Sequence, residues 1–259
     1  MNGIVDLLHD ENEYYDSQRM PGFVQGTVVE NNNDKFKGMV KVEFTVWESG
    51  KNMCEWVRLM SPYTGKDYGT YLVPEIGEIV LVGFIGGSLK RPFLLGSLYP
   101  SGAAWVNENF DKKNLKKSIK TKGQTQILIV EEEGKQSITV TTKKGSCIVI
   151  EDEKETCKIS DKGGKNQILL DYKNGAVSVD AEKKIMLKAG TVQLTLDGNG
   201  KSITAKADKV DINGTQGVKI NTSNKLEMKG TQAALEGSAK LEVKSGGQTV
   251  VKGAMVQIN

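Results

Sequence analysis

The sequence predicts an all-β chain in two parts, a small barrel followed by a fibrous β-prism, and three observations carry that prediction. The first is a short unit, apolar-x-apolar followed by polar and glycine residues, recurring every seven to eleven residues from about Thr121 to Asn259. Its pairs are Ile138/Val140, Ile148/Ile150, Ile168/Leu170, Val177/Val179, Ile185/Leu187, Leu194/Leu196, Val210/Ile212, Val218/Ile220, Leu226/Met228, Leu241/Val243 and Val256/Ile258. Alternation at period two puts both members of a pair on one side of a pleated strand. The second is where large side chains fall. Residues 1–108 hold 14 of the 16 aromatics, all five prolines and all three tryptophans; only Phe110 and Tyr172 follow. The third is charge: 14 acids against 9 bases before residue 109, then 18 against 26. A compact domain with aromatics for its core therefore precedes a narrow one that has no room for them.

Residues 1–21 form an acidic attachment segment, with a short helix expected over 4–15 that places Ile4, Leu7 and Leu8 on one face. The segment lacks the basic start and continuous apolar stretch of a signal peptide, and no apolar run reaches 18 residues. Assembly in the cytoplasm is expected. Residues 22–100 read as β: VQGTVVE, GMVKVEFTVW, EWVRLMSPYTG, IGEIVLVGFIGG and RPFLLGSLYP, separated by turn clusters such as ENNNDKFKG and WESGKNM. Five strands with glycine at the bends predict a Greek-key barrel of the OB type. Residues 101–120 read as a linker ending in the basic run KKNLKKSIK, and 121–259 as the repeats.

A repeat this short encloses no core by itself, so it must stack on copies of itself. Ordering one eight-residue strand costs roughly 8–16 kcal/mol of backbone entropy at about 1–2 kcal/mol per residue. Two apolar side chains return about 1.5–3 kcal/mol each when buried. Three chains wound around one axis supply both the burial and the ladder partners, and leave free edges only at the two ends. The expectation is an intertwined homotrimer with Val210, Ile212, Val218, Ile220, Leu226, Met228, Leu241 and Val243 at its core. About sixteen strands at roughly 4.7 Å would stack to a stiff body on the order of 75 Å long.

The chain shows little that would do chemistry. Its one histidine, His9, lies in the expected N-terminal helix. Glu131–Glu133 and Glu151–Glu153 read as charged turns, and Asp197-Gly198-Asn199-Gly200 lacks the further ligands of a calcium loop. Cys54, Cys147 and Cys157 have no metal-ligand spacing and read as free thiols, with Cys157 on a strand edge beside Ile159. No catalytic residue, metal or cofactor is expected. The lysines lie among acids with only two aromatics nearby, which argues against nucleic acid despite the OB-type barrel.

Residues 40–99 carry a resemblance. Trp56-Val57-Arg58, the Ser61-Pro62 and Gly65…Gly69 turn, Pro74-x-x-Gly77-Glu78-x-Val80-Leu81-Val82-x-Phe84 and Arg91-Pro92…Gly96-Ser97-Leu98-Tyr99 are similar to the OB domain of central spike proteins of contractile injection systems. These are the phage baseplate spike, its counterpart in R-type bacteriocins and the valine-glycine-repeat protein of type VI secretion. The resemblance implies a trimeric β-helix after the barrel, a baseplate hub as partner at the N-terminal and barrel end, and a mechanical, non-enzymatic role in piercing an envelope. Trimeric adhesive fibres and OB-fold nucleic-acid binders are the alternatives. With no histidine after His9 and no cysteine after Cys157, a histidine-iron point of the kind seen in some spikes is not expected. The last apolar pair reads as a blunt end. The resemblance supplies a cover for it, a small conical tip protein of the proline-alanine-alanine-arginine type seated on Gly253, Val256, Ile258 and Asn259.

Overall fold

The computed structural model describes residues 22–45 and 52–258. The expected helix with Ile4, Leu7, Leu8 and His9 lies outside the described residues, as do the attachment segment 1–21 and Asn259.

Five strands close a barrel: β1 (Phe23–Glu30), β2 (Met39–Thr45), β3 (Asn52–Leu59), β4 (Ile79–Phe84) and β5 (Pro92–Ser97), in the order β1-β2-β3-β5-β4. They are the five runs read from the sequence. β4 pairs with both β1 and β5 antiparallel, while β5 joins β3 in parallel through Arg58↔Phe93 and Leu59↔Leu94. Alternation sends Val24, Val28, Val40, Val42, Phe44, Val57, Val80, Val82, Phe84 and Leu94 inward to one core. The barrel closes tightly enough to require glycine at two places the sequence reading passed over. A Cβ on Gly26 would stand 2.5 Å from Val42 Cγ1, and one on Gly83 would stand 2.7 Å from the Phe93 ring.

The stretch expected as a linker contains two ordered elements. Helix α1 (Ala104–Asn109) is followed by β6 (Lys116–Lys120), because the alternating KKSIK pairs in full register with the next strand. The Lys120 ammonium lies 5.2 Å from the centre of the Trp105 ring, a cation–π distance. Lys122 also pairs with Glu75 of the barrel at 3.3 Å.

β6 opens a seven-stranded antiparallel meander with β7 (Gln126–Val130), β8 (Ser137–Thr141), β9 (Cys147–Glu151), β10 (Thr156–Ser160), β11 (Gln167–Asp171) and β12 (Ala176–Asp180). Each of its six connections holds one residue in the left-handed region: Gln124, Gly134, Gly145, Glu155, Gly164 or Gly175. At Gly145 the turn is closed by Gly145 N–H on Thr142 O (2.9 Å) and Thr142 N–H on Ser146 O (3.0 Å). A tight reversal followed by a left-handed residue turns a strand back on its predecessor. A separate three-stranded sheet follows, β13 (Lys184–Ala189), β14 (Val192–Asp197) and β15 (Ser202–Lys206), its connections carrying Gly190 and Lys201 with positive φ.

Over 116–180 the strands pair with one another within the chain. After β15 the pattern changes. Residues 207–258 contain no strand, every residue from 208 onward is exposed, and the backbone bends at 208, 215–216, 223–224, 231–232, 238–239, 246–247 and 254. Met186–Thr195 and the residues from Ile203 onward form a compact unit distinct from the one containing the barrel and the seven-stranded sheet. Among the described residues no helix is long and apolar enough to cross a membrane.

Candidate functional site

The registers of the meander bring scattered repeats into one surface. Ile127 faces Ile119 and Val140, Ile129 faces Ile138, Ile138 faces Ile150, and Val140 faces Ile148. Ile148 then faces Ile159, Ile150 faces Cys157, Ile159 faces Ile168, Cys157 faces Leu170, and the last strand adds Val177 and Val179. One face of the sheet is thus an apolar stripe crossing seven strands, one residue wide on β6, where Lys117 faces Ile129, and two wide on the other six, about 30 Å at the usual strand spacing. It is not covered by the chain's own residues: Ile150 is 43% exposed, Ile159 50% and Val177 69%. The sequence reading named only part of this stripe; Ile119, Ile127 and Ile129 belong to it as well. Cys147 points to the opposite face, with Sγ 3.3 Å from Ser160 Oγ.

The predicted trimer-core residues lie in the strandless stretch and are all exposed, from Leu241 at 53% to Met228 at 82%. So are Val256 and Ile258 of the expected tip seat, beside Gly253. Residues two apart share a side of an extended chain. Between the apolar members, Asp211 pairs with Lys209 at 3.0 Å, Glu227 with Lys225 and Lys229 at 2.6 and 2.7 Å, and Glu242 with Lys240 and Lys244. Hydrogen bonds from Lys225 and then Lys229 hold the Glu227 carboxyl below its ordinary pKa. The stretch is therefore amphipathic at period two, with ion pairs along one side and uncovered apolar residues along the other.

The charged turns behave as turns. Glu131, Glu132 and Glu151 pair with Lys117, Lys135 and Lys154. Asp197 accepts the Gly200 N–H at 2.8 Å and pairs with Lys184 at 2.9 Å, which lowers its pKa. Among the described residues no group of three or more His, Cys, Asp or Glu could hold a metal ion.

The motif residues of the barrel occupy distinct stations. Trp56 and Arg58 lie on the outer face of β3, where Trp56 stacks on Phe36 at 4.6 Å. Pro62 and Gly65 belong to a loop tied by the Thr64↔Gly69 bridge, by Gly65 N–H on Tyr68 O (2.8 Å) and by Ser61 Oγ against Tyr63 O and Thr70 O. Pro74 O accepts the Asn31 side chain at 3.0 Å, and Gly77, at φ 90°, donates to Val28 O before β4. Arg91 is exposed, Pro92 opens β5, and Gly96 stands at the β4–β5 irregularity. These residues shape the barrel and do not converge on a reactive centre.

Residues 24–99, the barrel, match the family described as the type VI secretion system/phage-baseplate injector OB domain. Among similar proteins is the type VI secretion system spike protein VgrG1b of Pseudomonas aeruginosa, 28% identical over 128 residues, or 45% of this chain and 17% of the relative. The spike protein VgrG5 of the same organism is 39% identical over 67 residues, 25% of this chain and 8% of the relative. The actin cross-linking toxin VgrG1 of Vibrio cholerae is 35% identical over 66 residues and is matched over 6% of its length. The matched part of the chain is thus similar to type VI secretion spike proteins and to the phage-baseplate injector OB domain. It spans less than a fifth of the length of these relatives.

Proposed function

We propose that this chain is the mechanical core of a contractile particle's spike, a homotrimer in which three copies close their apolar stripes onto one another and interleave their 207–258 stretches. The single observation that carries this reading is the strandless, fully exposed yet regularly amphipathic stretch 208–258. Its apolar side together with the stripe is a larger exposed apolar surface than soluble monomers keep open. Three copies suit a stripe at most two residues wide, since three narrow sheets enclose a slim core with no room for aromatics. The barrel serves as a collar on the baseplate hub, with Ile4, Leu7 and Leu8 as the attachment strip. The stack beyond it is the part driven through the target envelope when the sheath contracts, and a small conical tip protein seats on Gly253, Val256, Ile258 and Asn259. The part matched to the toxin covers little of that protein, and no catalytic role is assigned to this chain.

Light scattering on the purified chain tests the assembly: three times the 28.3 kDa of one chain is expected, and an ordered monomer at micromolar concentration contradicts it. Counting copies by mass spectrometry in particles from the producing cells tests the role. Three per particle is expected, and absence from the particle or many copies along its length argues against a central spike.

A further inference from the structure

The barrel's charges are not spread evenly. Its described residues, 22–45 and 52–100, hold seven bases and seven acids. Six of the seven bases gather on one side: Lys35 and Lys37 in the β1–β2 loop, Lys41 on β2, Arg58 on β3, and Lys90 and Arg91 just before β5. The strand registers bring them together. Lys41 stands opposite Trp56, and Arg58 stands between Met39 of β2 and Phe93 of β5. Phe36, between Lys35 and Lys37, stacks on Trp56 with ring centres 4.6 Å apart and planes 13° apart, which lays the loop on the same face.

At the centre of this face Trp56, Arg58, Ile85, Lys90, Arg91 and Phe93 line a cavity of about 370 Å³, and no carboxylate lines it. The acids that flank the face are Glu30, Asp34 and Glu43. Glu30 accepts a hydrogen bond from Asn33 at 2.9 Å and Glu43 one from Asn52 at 3.3 Å. Arg58, Lys90 and Arg91 are exposed and form no ion pair among the described residues.

The outer face of strands two and three, between the first and fourth loops, is where OB barrels take up oligonucleotides and oligosaccharides. Six cations select a polyanion. The aromatic rings select one with flat faces of its own, since bases stack on rings while the backbone follows a positive groove. An acidic peptide would use the cations and leave the rings idle, and a duplex keeps its base faces buried in its own stack. The lysines of the repeats have only two aromatics among them, whereas this face sets Phe36, Trp56 and Phe93 among its cations. The cavity falls within the usual range of small-ligand pockets, about 300–1,000 Å³, and so has room for one base.

We propose that this face of the barrel binds single-stranded nucleic acid. One base enters the cavity against Trp56 and Phe93, the adjoining phosphates lie on Arg58, Lys90 and Arg91, and the strand continues along Lys41 and the β1–β2 loop. Binding here is a function separate from the spike role and does not depend on the trimer.

Photo-cross-linking of an oligothymidylate to the full-length chain, mapped by peptide mass spectrometry, tests it. A length of roughly eight nucleotides suits one OB fold, whose sites span about 4–16. Adducts are expected on Trp56, Phe93 or Phe36, and the map separates them from any on the basic repeats. At a slope of about −0.7 per neutralised phosphate, three cations predict roughly a hundredfold loss of affinity at these rings for a tenfold rise in salt. Lys90→Glu should lower the yield there about fivefold or more, while Lys66→Glu, an exposed barrel lysine away from this face, should leave it unchanged. The map and the salt arm require no substitution and so are independent of any folding defect. Adducts confined to residues 109–259, yields at the three rings indifferent to salt, or equal losses in the two variants would overturn the proposal. Displacement by polyglutamate of the same length as effective as that by unlabelled oligothymidylate would assign the face to an acidic protein, and would equally overturn it.

Discussion

Two regions of this chain are written in the same alphabet and fold by different rules. Residues 116–180 and 207–258 both consist of apolar-x-apolar pairs separated by polar residues and glycine. The first pairs with itself into seven strands; the second pairs with nothing inside the chain that would make a strand. The connections separate them. All six in the meander contain a left-handed residue that turns the chain back, whereas beyond Lys201 the described residues show positive φ only at Gly217. Glycines are frequent in the second region too, but there they mark bends every seven or eight residues and not reversals. The meander exists as a sheet in one chain, whereas in the proposed trimer the second region takes partners for both backbone and side chains from other copies.

The largest effect that would break this comparison comes from charge in the second region. Ile220→Asp places three carboxylates near one axis in the proposed trimer, and burying unpaired charge costs several kcal/mol. Light scattering should show loss of the assembled species, while the β-structure of the barrel persists by circular dichroism. A heat-stable Ile220→Asp trimer would mean that the inward register is wrong.

Cysteine reactivity sharpens the comparison at the stripe. Cys54 is exposed on the barrel and Cys157 belongs to the apolar stripe facing Ile150 and Leu170. In the intact assembly a maleimide should label Cys54 quickly and Cys157 many times more slowly, with Cys157 recovering full reactivity in denaturant. Equal rates for the two in the native protein would leave the stripe uncovered.

A smaller effect separates the two kinds of glycine. Gly145 has φ 87°, and its Cβ position lies 2.8 Å from Lys162, so Gly145→Ala should cost about 1–2 kcal/mol. Gly246 has no positive φ and nothing within 4 Å of its Cβ position, so Gly246→Ala should stay within about 0.5 kcal/mol. Thermal melts of the two variants compare them directly, and equal losses would remove the distinction drawn between reversals and bends.

The smallest effect is that of acid. Asp161, Asp171, Asp197 and Glu227 hold their carboxyls below their ordinary values, through the side chain of Asn166, the side chain of Asn174, the Gly200 N–H and the Lys225 ammonium respectively. A carboxyl whose pKa is lower in the folded state stabilises that state above its unfolded pKa, and the contribution is lost as pH falls through the folded value. The melting midpoint should therefore hold steady from neutrality to about pH 5 and drift down below the unfolded values of 3.8 and 4.5. Glu227 is exposed and Asp161, Asp171 and Asp197 are only half-buried at turns, so the drift is modest. A midpoint that rises toward pH 3 would contradict the sign.

Much of this was legible in the residues. The barrel's five runs became its five strands because alternation and glycine-rich turns specify a half-buried strand locally. The pairs from Ile138/Val140 to Val177/Val179 did fall on one face, since a period of two leaves no other choice once the strands pair in register. What the residues did not disclose was which strands pair within the chain. That depends on the sign of φ at single positions such as Glu155 and Lys201, which are not glycines and look like any other charged turn residue. Lys116–Lys120 read as linker because its lysines suggested a solvated tether, although Ile119 already extended the stripe. The close approaches at Gly26 and Gly83 were invisible for the same reason: they are set by barrel closure, not by neighbours in sequence.

Hydrogen exchange of the intact chain at residues 208–258 tests the central claim most directly. These amides have no strand partners within the chain, so protection can come only from other copies. The account predicts slow exchange across this stretch, comparable to that of β7–β11, and its loss in Ile220→Asp while the meander stays protected. Free exchange at 208–258 in the intact protein, with the meander protected, would contradict it.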